Sequence, residues 1–248
     1  MLRGLYTSAS GMLATQAQSD IVADNIANVR TPGYKEEQAS NTSFPTMLLE
    51  RIGGNTPTET TPIGGIGTGV VINRITRLNQ LGPIQTTELD TDLALVSQGF
   101  FVVRTPDGDR YTRNGQFQVS QGYLQTADGH LVLGLDNEPI GPLGQDFKVN
   151  SDGMILDEDG TVGHQLQIVD LPQESLERAG QSLFSSNQQP QVVANVEIRQ
   201  GAIESSNVDV SNQMVKMITV MRAYEANQKV IQTQDATLEK AVNEVGRI

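Results

Sequence analysis

The sequence predicts an α+β chain, with a long helix at each end and a central all-β domain of short antiparallel strands. Three observations carry that expectation. From Val210 onward apolar side chains recur in alternating steps of four and three residues: Val210, Met214, Met217, Met221, Tyr224, Gln228, Ile231, Asp235, Leu238, Val242 and Val245. Nine of these eleven positions are apolar, and the rhythm is that of a coiled-coil seam kept over about five heptads. A similar stripe, Leu2, Leu5, Ala9, Met12, Gln16, Ser19, Ala23 and Ile26, opens the chain. Between the two stripes, Asp-Gly and Asn-Gly dipeptides separate short β-rich runs.

The first helix is expected from Leu2 to Asn28. Thr31-Pro32-Gly33 ends it, because Pro32 turns Thr31 away from helical backbone and Gly33 accepts a positive φ. Gly4 and Gly11 each lower its helix propensity by about 1 kcal/mol against alanine, so in isolation it is marginal. Residues 36–81 read as an extended connector. Within it Phe44–Glu50 reads as a short helical turn, Thr56–Thr61 as a polar stretch, Gly64–Gly69 as a flexible run and Val70–Ile75 as a strand.

The β domain is expected over residues 82–196. Its turns fall at Asp107-Gly108, Asn114-Gly115, Asp128-Gly129, Asp152-Gly153 and Asp159-Gly160, dipeptides that suit the positive-φ positions of hairpins. The runs between them include Phe100–Val103, Gln116–Val119, His130–Leu133 and Gln165–Val169. They predict a compact antiparallel barrel or sandwich. The last helix lies in residues 197–248. Ser206 followed by Asp209 predicts a capping box, Glu225 and Lys229 form a favourable i, i+4 pair, and Gly246 marks the end. A helix of some 36 residues would run about 54 Å, longer than a small β domain is wide, so most of it has to pack elsewhere.

Composition removes several classes of function. Of 248 residues, 17 are basic and 29 acidic, for a net charge of −12. No basic stripe is present to displace counterions from phosphates, so nucleic acid is not an expected partner. With no cysteine there is no disulfide, thiolate nucleophile or cysteine-held zinc. Met1–Asn28 contains Asp20 and Asp24 and lacks the compact apolar core of a cleaved signal peptide. No stretch has the roughly 18–20 apolar residues of a membrane span. Taken alone, these signals read as cytoplasmic unless an export route without cleavage carries the chain.

The candidate chemical motifs have simpler readings. A phosphate loop needs a strand before it and a helix after it, but the residues after Gly65-Ile-Gly-Thr-Gly69 are β-branched and the spacing is wrong. Asp152-Gly153 and Asp157–Gly160 form an acidic cluster without the spacing of a calcium loop, and hairpin turns account for it. Glu88, Asp90 and Asp92 could supply a carboxylate pair, but the chain has no tryptophan platform for a sugar. His130 and His164 have no neighbouring ligand pattern and no Gly-x-Ser-x-Gly elbow accompanies them. No catalytic, cofactor or metal residue and no small-molecule substrate is therefore expected. The stripe of Met214, Met217 and Met221 reads as a packing surface tolerant of varied neighbours.

Ala23-Asp-Asn-Ile-Ala-Asn-Val-Arg-Thr-Pro-Gly-Tyr-Lys35 closely resembles the N-terminal signature of the bacterial flagellar rod and hook proteins. Gly99–Val103, Tyr111-Thr-Arg-Asn-Gly-Gln-Phe117 and Asp128–Val132 resemble that family's middle domain. Gly201-Ala-Ile-Glu-Ser-Ser-Asn-Val208 and Met221-Arg-Ala-Tyr-Glu-Ala-Asn227 resemble its C-terminal signature. The likeness spans nearly the whole chain in the family's order. Phe44–Ile52 and Met1–Thr7 look most like the rod proteins of Gram-positive bacteria related to the proximal and distal rod subunits.

The resemblance implies a non-enzymatic structural subunit of the basal-body rod, in the cell envelope. Its implied partners are copies of itself, other rod and hook proteins, and the flagellar type III export apparatus, which takes the chain without a cleaved signal. It also implies that the terminal helices pack as a coiled-coil-like inner layer of a helical tube that transmits torque, with the β domain outside. The residues expected at the assembly interface are Leu5, Met12, Asn25, Ile26, Asn28, Thr31, Pro32, Val210, Met214, Met217, Met221, Tyr224, Ile231, Leu238 and Val242. Two alternatives follow from the residues alone: a soluble coiled-coil oligomer with a β binding domain, and an envelope-acting hydrolase.

Overall fold

The structure is a computed structural model that describes residues 2–52, 60–144, 147–156, 162–172, 175–180, 182–193 and 195–245. The expected features at Thr56–Glu59, Asp157–Gly160 and Gly246 lie outside the described residues. The fold is α+β as expected, with a helix at each end and a largely β middle. Its residues form two compact units. A terminal unit comprises Met1–Ile26, Glu37–Thr76 and Asp209–Ile248, and a central unit comprises Ala27–Glu36 and Arg77–Val208.

Helix α1 spans Leu2–Ala27, and helix α2 spans Val210–Lys240 followed by one π-helical turn at Ala241–Val245. The first helix stops where the sequence predicts. The Thr31 amide donates to the Asn28 carbonyl at 3.1 Å, and Gly33 takes φ +69°. The start of α2 differs from the expected capping box. Asp209 is the N-cap, its carboxylate accepting from the Ser211 amide at 2.9 Å and from Asn212 at 3.4 Å. The Ser206 hydroxyl instead accepts from the Val208 amide. Asp caps as well as Ser does, and Asp209 sits directly against the apolar run, so the nearer residue takes the role.

The stretch expected as a connector holds four strands. Strand β1 (Glu37–Ser43) pairs with β4 (Val70–Arg77), and β2 (Met47–Ile52) pairs antiparallel with β3 (Thr60–Ile66). The helical turn expected over Phe44–Glu50 is therefore replaced by strand from Met47, and the glycine run closes β3 before leading into β4. Local propensity is weak in these segments, and pairing with a distant partner decides them. Asn25 helps to set the first pair. Its side chain is buried and bonds both backbone groups of Glu37, donating to the carbonyl at 2.8 Å and accepting from the amide at 2.9 Å.

In the central unit every paired strand with a determined register is antiparallel. The main sheet runs in the order Leu176–Arg178, Leu183–Ser186, Gly108–Thr112, Phe100–Thr105, Leu131–Val132, Tyr123–Thr126 and Phe117–Ser120. Phe100–Thr105 is buried on both faces. Phe101 and Val103 enter one cluster with Phe117, Leu124 and Phe147, and Phe100 and Val102 enter another with Tyr111 and Phe184. Alternation along the strand sends successive side chains to opposite sides, so one strand serves two cores. Edge-on ring pairs, Phe101–Phe117 at 5.1 Å and Phe100–Phe184 at 5.8 Å, anchor them. Asp107-Gly108, Asp128-Gly129 and Asp152-Gly153 lie at hairpin turns as expected. Asn114-Gly115 does not. There Gly115 lies flat against the backbone of Leu93, whose amide bonds its carbonyl. A further hairpin turns at Gln121-Gly122, both with positive φ.

Gly33 is required twice over. Its φ lies in the left-handed region, and a Cβ there would overlap the backbone of Arg113. Gly33→Ala should cost at least about 1–2 kcal/mol from backbone conformation alone, and more from the overlap. Urea unfolding of the variant followed by circular dichroism checks this, and an unchanged midpoint would contradict it.

Candidate assembly interface

Three segments far apart in the sequence meet at one buried carboxylate. Glu204 is 1% exposed and ends the strand Ala202–Glu204, which pairs with Ile84–Thr86. Its Oε1 accepts from Lys35 Nζ at 2.5 Å and from the Gly82 amide at 2.8 Å, and its Oε2 accepts from Arg113 Nη1 at 2.9 Å. Its backbone carbonyl accepts from the Gly33 amide at 2.8 Å. Lys35 also donates to the Gln80 carbonyl and Arg113 to the Ser97 carbonyl. Three residues on, Asn207 accepts from the Glu36 amide and donates to the carbonyls of Leu78 and Gln80. Desolvation lowers the Lys35 pKa below the ordinary lysine value, and the nearby Arg113 adds to this, while Glu204 opposes it.

In the terminal unit, α1 and α2 face each other in opposite directions. The Ser19 hydroxyl lies 3.4 Å from Met217 Sδ. A Cβ on Gly11 would come within 2.9 Å of the Asn227 amide, and one on Gly4 would overlap the Gln234 amide. The covered stripe of α2 keeps the three-four rhythm, but only one of its two columns is the expected one. Met217, Tyr224, Ile231 and Leu238 are half-buried as part of the seam. The companion column is Gln213, Val220, Asn227, Gln234 and Ala241, not Met214, Met221, Gln228, Asp235 and Val242. The glycines of α1 give room for long amides, so the more polar column turns inward. Met214, Val215, Ile218 and Met221 remain exposed together on one face.

The other expected interface residues are placed as follows. Asn25 is buried, and Leu5, Met12, Ile26, Asn28, Thr31, Pro32 and Val210 are half-buried. Met214, Met221 and Val242 are exposed, Val242 by 70%. Lys35, Arg113, Glu204 and Asn207 were not singled out, although each lies inside a quoted signature stretch. Charged residues embedded among apolar neighbours were the available signal. Glu88 and Asp90 are exposed while Asp92 is buried, so the three do not form one carboxylate site. Among the described helices none is long and apolar enough to cross a membrane.

Apolar burial is unequal between the units. Among the described residues of the terminal unit, only Ala14, Ile21 and Val22 are buried apolar side chains. The same unit carries 16 of the 22 exposed large apolar side chains, including Leu13, Leu48, Ile63 and Met221. Recesses of 250, 500 and 200 Å³ flank α1. A unit with an outward apolar surface and almost no core has the features of an assembly subunit.

The sequence comparisons give the class a family. Residues 5–35 match the flagella basal body rod protein family, residues 94–213 the D1 domain of flagellar hook protein FlgE/F/G, and residues 199–244 the C-terminal family of flagellar basal body rod FlgEFG proteins. The chain is 35% identical to the flagellar hook-basal body complex protein FlhO of Bacillus subtilis, with all of both chains covered. It is 34% identical to the flagellar basal-body rod protein FlgG of the same organism, over 98% of this chain and 99% of that one. The FlgG of Borreliella burgdorferi is also 34% identical, over 98% of each. The chain belongs to the flagellar basal-body rod protein family and is a structural rod subunit.

The buried triad makes two predictions. Glu204→Gln leaves two cations in the interior without a counter-charge and should cost up to about 3–5 kcal/mol. Lys35→Met leaves the Arg113–Glu204 pair intact and should cost less. Urea unfolding ranks them, and equal losses would contradict the account. In the window between the lowered folded-state pKa of Lys35 and its ordinary value of 10.5, unfolding takes up a proton. Raising the pH there therefore stabilises the folded chain. Tyr111, whose pKa burial raises above 10.0, acts in the opposite sense only above that value. Stability measured below pH 10 should thus rise toward alkaline pH, and Lys35→Met should flatten that slope.

Proposed function

We propose that this chain polymerises with copies of itself and with other rod and hook proteins into a helical tubular shaft that carries torque to the hook and filament. The observation that carries the proposal is the uneven burial: among the described residues the terminal unit buries three apolar side chains and exposes 16 large ones, while the central unit encloses a full core. In the polymer, α1 and α2 pack as a coiled-coil-like layer, and the exposed face of Met214, Val215, Ile218 and Met221 finds neighbours. An open-ended tube follows from identical copies meeting through heterologous contacts that do not close on themselves. Stiffness then comes from many close-packed interfaces in parallel.

The same reading has the isolated subunit keep a folded central unit and weakly held terminal helices, since a lone amphipathic helix does not offset its ordering entropy. The chain reaches the basal body through the flagellar type III export apparatus, without a cleaved signal peptide. It does no catalysis there.

An in-frame deletion, viewed by electron microscopy of isolated basal bodies, tests the proposal. Loss of the hook and distal rod above an intact membrane-embedded base is expected, and complete motile flagella would refute it. Met221→Asp puts a charge on the exposed apolar face. It should abolish motility in complementation while circular dichroism shows the central unit still folded. Normal swimming by that variant would remove this face from the interface.

A further inference from the structure

The last part of the central unit makes its bonds backward, to segments far earlier in the chain. Ile198–Gln200 pairs with Leu93–Leu95, and Ala202–Glu204 pairs with Ile84–Thr86. Gly201, at φ +72°, turns between them, and its carbonyl accepts from the amides of Thr87 and Glu88. The Gln200 side chain donates to the carbonyls of Asp90 and Phe147 and accepts from the Val149 amide. Glu204 and Asn207 then hold Gly33, Lys35, Glu36, Leu78 and Gly82. By contrast, the main sheet and the pairings of Leu124, Leu133 and Ile140 are made between residues 100 and 192.

We propose that residues 202–208 are a clasp that closes separately from the main sheet and locks the N-terminal turn Thr31–Glu36 in place. Until Glu204 is delivered, closing the turn would bury Lys35 and Arg113 with no counter-charge, which is strongly unfavourable. The turn therefore stays open while the main sheet forms. In synthesis the N-terminal turn is made well before its partner. A chain without its C-terminal segment accordingly cannot lock the N-terminal signature. The next residue, Asp209, caps α2, so clasp and helix arrive together. The proposal does not rest on the chain's place in the rod.

Hydrogen exchange on the full-length chain tests it, comparing the amides of Gly33, Glu36, Leu78 and Gly82 with those of Leu124, Leu133 and Ile140. In Glu204→Gln the first group should lose its protection. The second should still exchange at least about a hundredfold more slowly than the first, as expected of separate cooperative units. Asn207→Ala removes clasp hydrogen bonds without stranding a charge, so it tests the same separation in a chain that keeps its fold. There the first group should speed up selectively, by a smaller factor. If both groups accelerate together in both variants, or neither changes, the clasp is not a separate unit and the proposal fails.

Discussion

A carboxylate held away from water between two cations is a demanding arrangement. Desolvating three charges costs several kcal/mol for each, and only close geometry recovers it. Here Glu204 accepts from Lys35, Arg113 and the Gly82 amide, so both carboxylate oxygens are engaged. The neighbouring backbone depends on the same point. Gly33 bonds the Glu204 carbonyl and lies so close to Arg113 that no side chain fits. The three charged residues come from the N-terminal, middle and C-terminal signature stretches, one from each. Those stretches are brought together physically by this contact.

The terminal unit follows the opposite logic. Its helices turn a partly polar column toward each other, with Asn227 and Gln234 opposite Gly11 and Gly4. The methionine-rich column faces outward. For a free-standing domain this arrangement wastes apolar burial. In the proposed polymer that burial would be made with neighbours, and methionine adapts to neighbours that are not identically placed.

Much of this was legible in the sequence because it is local. The presence of the two helices, the stop at Thr31-Pro32-Gly33 and most of the hairpin dipeptides depend on residues within a few positions of each other, and these match the structure. Val70–Ile75 reads as a strand and lies in β4, but β1–β3 are not legible, since Glu37–Ser43 has little strand character of its own and is set by β4 and Asn25. The inward column of α2 could not be chosen from α2 alone, since the apolar rhythm allows either neighbour of Met217 and the glycines of α1 decide. The triad was hidden for the same reason: Lys35, Arg113 and Glu204 are separated by most of the chain. The N-cap was misplaced by proximity, two capping residues standing three apart.

Charge is divided between the units as unevenly as apolar surface. The central unit holds 19 acidic and 9 basic residues, which leaves 10 acidic and 8 basic for the terminal unit. Almost all of the chain's net charge thus sits on the unit with its own core. That placement follows from what each unit has to do. Copies that meet through a surface of high net charge repel one another, whereas a nearly neutral apolar surface is free to associate. A central unit of net charge −10 repels like-charged copies of itself. In the proposed polymer, electrostatics and apolar surface would therefore both favour contact through the terminal unit.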